Sequence, residues 1–349
     1  MQKRVDLAIE AALGARIVGC VVLVRRGGRQ VYARAAGLAD REAGRVMTEG
    51  AVFRLASVTK PVVAACVLRM VDLGLVALDD PVTRFLPEFR PRGPDGSEAV
   101  IRVRHLLSHT SGLTYGGGGA FPRGLAGPLM PLDEVMARLA AEPLLFAPGT
   151  GWEYGMSTDV LGAMVAAVNG SDVAGALGRY VTGPLGMTDT LFGVADAGRL
   201  AVPYRDGRPP VRMAGEVTVD ETPFSVGRIF EPLAPQSGGA GMAGTAGDVM
   251  RLMEGLRGGF LSAGLRDAAF ANQIGDLPRE AGKRFGYLGA ITMTADAAMP
   301  QGAVDWGGVW GHNWIIDRAS ETTVVVLTNT TFEGCNGPFR EEVARAVFG

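Results

Sequence analysis

Apolar positions along this chain change period from one stretch to the next, and the periods predict its elements. MQKRVDLAIEAALGARI at the start mixes apolar and charged positions as an amphipathic helix does, with Asp6 and Glu10 interrupting any continuous apolar run. Residues 17–25 (IVGCVVLVR) and 30–37 (QVYARAAG) are rich in β-favouring residues and are joined by Arg26-Gly27-Gly28-Arg29, which predicts a hairpin. At the far end, 285–293 (FGYLGAITM), 309–317 (VWGHNWIID) and 322–330 (TTVVVLTNT) predict three more strands, and Pro338 to Phe348 a closing helix.

The middle of the chain follows the helical period. In 53–74 (FRLASVTKPVVAACVLRMVDLG), Val62, Cys66, Met70 and Leu73 form one stripe and Val63, Val67 and Val71 another, so this helix is apolar nearly all round and belongs in the interior. A second apolar helix follows a Pro/Gly turn in 148–168 (PGTGWEYGMSTDVLGAMVAAV). Strands at both ends with helical, Gly/Pro-punctuated sequence between them predict an α/β + α fold. An antiparallel sheet flanked by helices is built from both termini, with a mostly helical region inserted. The expected division is a sheet domain from 1–75 and 240–349, a helical domain from 76–239, and an active site in the cleft between them. Glycines concentrate at 116–119 and 237–244, and 115–131 is expected to be a mobile loop over that cleft.

Composition narrows the function classes. At 349 residues and 47% hydrophobic, the chain can bury a large core. A net charge of −2 favours neither nucleic acid nor an acidic membrane surface as partner. No apolar run approaches the roughly 18 to 20 residues that cross a bilayer; the best, 61–78, is broken by Arg69 and Asp72. Cys20, Cys66 and Cys335 are scattered and read as unpaired thiols, and with Asp6 and Glu10 standing where a secretory segment would be apolar, a cytoplasmic location is expected.

The strongest chemical signal is the pair Ser57 and Lys60. Ser57 is expected at the N-cap of the buried helix, and residues three apart share a helix face, so hydroxyl and ammonium come within reach. Pro61 falls in the first turn, where its missing amide costs little. A lysine at the mouth of a buried helix is desolvated, which is expected to lower its pKa and let it take the Ser57 proton. An SxxK pair alone is more often a helix cap followed by a solvated lysine. Tyr154, just ahead of the second apolar helix, supplies a phenol that would relay the proton, although a lone Tyr there is more often packed and locally satisfied. In 304–317 (VDWGGVWGHNWIID), Gly307 and Gly308 are expected at the start of a strand, letting substrate lie along the backbone; the Val309 and Ser57 amides would form an oxyanion hole. Taken alone, that segment reads equally as a β-bulge.

SVTK, the Tyr154 segment and the strand beginning WGG occur in the order and approximate spacing of the three motifs of the serine β-lactamase and D,D-peptidase superfamily, and the chain resembles that superfamily from about residue 5 to 348. HLLSHTSGLTYG (105–116), PLGMTDT (184–190), GGAGMAGTAGDVMRL (238–252) and the VVVLTN strand add to the likeness, which is nearest to the class C β-lactamase-like carboxylesterases. The resemblance implies a β-lactamase/transpeptidase-like fold, Ser57 as acylated nucleophile, Lys60 and Tyr154 as base and relay, and a substrate-binding set of Trp306, Gly307, Gly308, Val309 and Met156. Two positions depart from the pattern: Met156 stands where β-lactamases typically carry an Asn that holds the substrate, and Trp306 replaces the cation of the third motif. Both losses weaken recognition of β-lactams and D-Ala-D-Ala peptides, and an apolar, Trp-lined cleft would suit uncharged small-molecule esters. A β-lactamase or D-amino-acid amidase, or a silent ligand-binding relative, are the alternatives.

No cofactor and no metal are called for. His105 and His109 lie four apart without a HExxH pattern or neighbouring Cys ligands and read as buried structural histidines. No GxSxG occurs, which speaks against an α/β-hydrolase. His312 is placed beside the cleft with its partner undefined. Trp152, Trp310 and Trp314 are candidates for cleft walls, with core packing the commoner fate.

Overall fold

The computed structural model of the chain describes residues 1–115, 125–127 and 129–349. Most of the glycine-rich segment expected as a loop over the cleft, 116–124 and 128, lies outside the described residues.

An antiparallel sheet of eight strands forms the centre, in spatial order β10-β11-β12-β13-β14-β1-β2-β3. Its strands are β1 (Gly19–Arg26), β2 (Arg29–Asp40) and β3 (Arg45–Val46) from the start of the chain. From the end come β10 (Lys283–Phe285), β11 (Ala290–Thr292), β12 (Val304–Gly308), β13 (His312–Asp317) and β14 (Thr322–Thr328). The sheet is therefore assembled from both ends, its seam being β1 against β14, with Val22 opposite Val326 and Val24 opposite Val324. The β1–β2 hairpin turns on Gly27 and Gly28, both at positive φ, as a two-residue turn between right-twisted strands requires.

The far end of the sheet differs from expectation. Residues 285–293 are not one strand: they run from the end of β10 through a turn at 286–289 into β11, and 309–311 are the turn between β12 and β13. Gly307 and Gly308 thus end a strand instead of starting one.

Period-two alternation gives the sheet two apolar faces. Cys20, Val22 and Val24 with Val324 and Val326 meet Val5, Ile9, Phe339 and Val343 of helices α1 (Gln2–Ala12) and α9 (Pro338–Phe348). Val21, Leu23, Val325 and Leu327 face the opposite way, into a cluster that runs through α2 (Thr59–Asp72) and α7 (Ala246–Arg257) to α5 (Ser157–Asn169). Helices α3 (Val103–Leu107), α4 (Leu132–Ala141), α6 (Val173–Leu177) and α8 (Ala263–Phe270) complete the helical layers. Three two-stranded ribbons, β4 (Val52–Arg54) with β9 (Ala243–Thr245), β5 (Tyr204–Arg205) with β6 (Val211–Arg212), and β7 (Glu216–Val219) with β8 (Thr222–Ser225), join them. None of the described helices is both long and apolar enough to cross a membrane alone.

Helix α2 is buried on every side from Thr59 to Leu68. Full burial of each of Val62, Val63, Val67 and Leu68 contributes about 1.5 to 3 kcal/mol, which fixes the helix that carries Lys60 firmly in the interior. Helix α5 stops where Gly170 takes a left-handed φ, and Thr245 caps α7 through its hydroxyl. All three cysteines are buried and unpaired.

Candidate active site

Ser57 lies in a single 3-10 turn, Ala56–Val58, that precedes α2, one step earlier than the expected N-cap; Val58 occupies the cap position. Ala56 sits at positive φ, an uncommon conformation for a residue with a side chain, and its buried methyl packs with Phe224, Ala240 and Trp310. From Ala51 to Leu68, Ser57 is the one residue that is not buried. The turn pushes a single hydroxyl out of an otherwise interior segment.

Two donors converge on that hydroxyl. The Tyr154 hydroxyl donates to Ser57 Oγ at 2.8 Å and Lys60 Nζ donates to it at 3.3 Å. Trp306 Nε1 in turn donates to Tyr154 Oη at 3.2 Å, and Lys60 Nζ lies 4.7 Å from the centre of the Tyr154 ring. The structure thus brings Ser57, Lys60, Tyr154 and Trp306 together across 249 residues of sequence (306 − 57).

Lys60 is only 5% exposed, and its other two N–H groups go to Tyr115 Oη at 2.8 Å and Gly239 O at 2.7 Å. Burial works against its ammonium, but the neighbouring Tyr115, Tyr154 and Asp159 outweigh that and hold its pKa above the ordinary lysine range. This reverses the expectation of a lowered pKa. Tyr115 and Asp159 reach Lys60 from distant segments, and neither was singled out as functional. Asp159 is a buried acid in the first turn of an otherwise apolar helix, the one signal that pointed to it. Its carboxyl accepts from Ser237 Oγ and, at 3.2 Å, from Gly239 N, so it anchors the residue whose carbonyl receives Lys60. Burial raises the Asp159 pKa.

The strand end at β12 closes the other side. A Cβ on Gly308 would stand 2.4 Å from the backbone oxygen of Leu55, and one on Gly307 2.7 Å from Cys335 Sγ. The paired glycines therefore let β12 pack against the nucleophile turn. Gly308 is buried there, and of the expected substrate edge only Trp306, Gly307 and Val309 face the cavity. Among the described residues, the Val309 amide has no hydrogen-bond partner. Met156, expected at the substrate site, is instead fully buried at the head of α5 within the main apolar cluster and does not line the cavity.

The cavity over Ser57 holds about 340 Å³. Its wall is not the apolar, Trp-lined surface expected: beside Tyr154, Trp306 and Val309 stand Arg279, Glu280, Lys283, Asp305, Asn313 and Arg340. Asp305 pairs with Arg340 and, at 3.5 Å, with Lys283. A larger cavity of about 430 Å³, lined by Arg54, Arg228 and Trp310, contains none of the three candidate catalytic side chains, so size does not choose the site here.

The histidines stand outside the proton path. His312 Nε2 bonds the backbone oxygen of Arg54 at 2.7 Å, bracing the strand that leads into the Ser57 turn. His109 Nδ1 accepts from Gly155 N at 3.4 Å and its ring lies against Tyr154, while His105 Nδ1 accepts from Arg102 N. Burial pushes His109 down to about 3 and His105 and His312 to about 4, so all three are neutral near pH 7. Among the described residues no group of His, Cys, Asp and Glu is placed to hold a metal. Trp314 is core, Trp310 lines the larger cavity, and Trp152 packs on Phe285.

Comparison with known proteins gives the same direction. A family profile described as Beta-lactamase matches residues 5–347. The esterase EstB of Burkholderia gladioli is 49% identical, with 99% of this chain and 94% of that protein covered. The solved structure of EstCE1, a hydrolase with promiscuous acyltransferase activity, superposes with a TM-score of 0.94 at 36% identity over 99% of this chain and 98% of that one. A simvastatin synthase from Aspergillus terreus, at 24% identity and a TM-score of 0.74 over 98% of this chain and 92% of that one, shares the fold.

Proposed function

The chain belongs to the beta-lactamase family and is a serine hydrolase, and from that premise we propose that it cleaves carboxylic esters through an acyl-Ser57 intermediate. The observation that carries this reading is the placement of Ser57 Oγ at 2.8 Å from the Tyr154 hydroxyl and 3.3 Å from Lys60 Nζ, facing an open cavity.

In the first step Ser57 Oγ bonds to the ester carbonyl carbon. Its proton passes to Tyr154 Oη as the proton of Tyr154 moves on to the leaving oxygen, the C–O bond breaks, and the alcohol departs neutral. Lys60 remains an ammonium throughout. With its three N–H groups directed at Ser57, Tyr115 and Gly239, it supplies positive charge beside the oxygen that becomes the nucleophile. The carbonyl oxygen, negative in the tetrahedral intermediate, is received by the amides of Val309 and Ser57. Water then attacks the acyl group, Tyr154 relays its proton back to Ser57 Oγ, and the acid is released.

Esters are preferred to β-lactams because the two polar anchors of the β-lactam sites are replaced: Met156 is buried away from the cavity, and Trp306 spends its N–H on Tyr154. Transfer to an alcohol instead of water is the second reading, favoured by the acyltransferase activity of EstCE1. The test is p-nitrophenyl acetate hydrolysis with intact-mass detection of the acetyl-enzyme. Ser57→Ala should abolish both turnover and the mass increase; undiminished hydrolysis by that variant would end this proposal.

A further inference from the structure

On the ester-hydrolase reading above, we propose that Arg279 determines specificity, selecting esters whose acyl or alcohol part ends in an anionic group such as a carboxylate. Arg279 lies just before β10 and lines the Ser57 cavity. Its guanidinium carbon stands 4.9 Å from the ring centre of Trp152, 5.6 Å from Phe285 and 5.9 Å from Trp306. These rings form a continuous row toward the nucleophile: Trp152 to Phe285 at 5.4 Å, Phe285 to Trp306 at 5.2 Å, Trp306 to Tyr154 at 5.0 Å. The planar cation is held in one orientation by aromatic faces, so little side-chain freedom remains to be lost when a ligand binds.

What the cation lacks is a counter-ion. Arg340 and Lys283 share Asp305, but among the described residues no carboxylate lies within ion-pair distance of Arg279. Burial works against its charge, and Glu280 and Asp305 favour it only from beyond ion-pair distance. Nε and Nη1 are covered and make no hydrogen bond. Among the described residues Nη2 makes none either, and it is not among the covered atoms, so it is the nitrogen left to meet a ligand. A guanidinium stripped of water on two nitrogens and unpaired is costly, and a substrate anion at Nη2 restores the missing interaction. A cation absent at Trp306 is thereby supplied from a different segment, 5.9 Å from the Trp306 ring.

The test compares kcat/KM for mono-p-nitrophenyl glutarate with that for p-nitrophenyl butyrate, in the wild-type chain, Arg279→Gln and Arg279→Lys, at low and high ionic strength. The glutarate-to-butyrate ratio should fall at least about tenfold in Arg279→Gln, mainly through KM, with partial retention in Arg279→Lys. Any general loss divides out of the ratio. Salt should lower the wild-type ratio and leave that of Arg279→Gln unchanged. Independently of any variant, glutarate should inhibit wild-type hydrolysis of p-nitrophenyl acetate more strongly than neutral glutaramide. A ratio unaltered by Arg279→Gln, or equal inhibition by glutarate and glutaramide, overturns the assignment. Loss of the Ser57 dependence of p-nitrophenyl acetate hydrolysis would instead overturn the ester-hydrolase reading, so the two failures are distinguishable.

Discussion

Replacing Gly308 by Ala tests whether the approach of β12 to the nucleophile turn organises the site. The new Cβ would stand 2.4 Å from Leu55 O and 3.3 Å from Val58 Cγ2. Carbon makes comfortable van der Waals contact at about 3.5 Å, so strand and turn must separate by roughly 1 Å. Neither yields easily. Leu55 O is backbone two residues ahead of Ser57, and β12 is hydrogen-bonded on both edges, to β11 and β13. Whichever side moves, the distance between the Val309 amide and Ser57 changes by about that amount. Loss of one oxyanion donor costs about 10²- to 10³-fold in kcat, and a 1 Å misplacement near 10²-fold. We therefore expect Gly308→Ala to lower kcat for p-nitrophenyl acetate by roughly 10²-fold with a smaller change in KM, and overpacking to cost about 1 to 3 kcal/mol of stability.

The assay is steady-state hydrolysis alongside intact-mass timing of acylation, at a temperature where circular dichroism shows both proteins folded. Gly264→Ala is the control: nothing lies within 4 Å of its new Cβ, so it should leave both rate and stability close to wild type. A folded Gly308→Ala enzyme with kcat within about threefold of wild type would refute the two-amide arrangement.

Three further outcomes follow from the same geometry. Lys60→Met should lower kcat by roughly 10²- to 10³-fold and also lower the urea midpoint, because it leaves the Gly239 carbonyl and the buried Asp159 carboxyl without the cation they face. Trp306→Phe keeps the ring but loses the N–H to Tyr154 Oη, and kcat should fall by about five- to tenfold with little change in melting temperature. Because burial holds His109 at about 3 and His312 at about 4, against an ordinary value of 6.5, kcat/KM should show no limb between pH 6 and 7. The unfolded chain binds these protons first, so stability is present above pH 6.5 and is lost on acidification. Each imidazole contributes a loss of roughly 1.4 kcal/mol per pH unit between about pH 6 and 4.5, and His109→Gln should flatten that slope in urea titrations.

How far the sequence could be read depended on whether the deciding contacts were local. β1, β2 and β14 were visible because runs such as Val21 to Val24 and Val324 to Leu327 are long, β-branched and bounded by turns. The strands expected at 285–293 and 309–317 differ because glycines 286, 289 and 311 turn the chain inside those runs. Ser57, Lys60 and Tyr154 were legible as motif residues, but the 3-10 turn was not, since Ala56 carries no mark of its left-handed φ. The motif position of Met156 points to the cavity, whereas its apolar side chain turns into the core at the head of α5. The charged wall was missed altogether: Arg279 and Arg340 come from segments without motif character, and only the sheet brings them beside Trp306.

The Lys60 environment shows why desolvation alone is a poor guide to the charge of a buried lysine. Burial counts against an ammonium only so long as nothing replaces the lost water. Here each of its three N–H groups has an acceptor, one of them the carbonyl of Gly239, whose own amide is tied to Asp159. Gly239 itself has no freedom to be anything larger, because a Cβ there would stand 2.5 Å from Asp159 Oδ2. Acid, glycine peptide and lysine thus form one packed column, and removing any member leaves the others with unmet hydrogen bonds. An amine held this way is poorly suited to accept the serine proton and well suited to keep a fixed positive charge beside it, which leaves Tyr154, the other group touching Ser57 Oγ, to carry the proton.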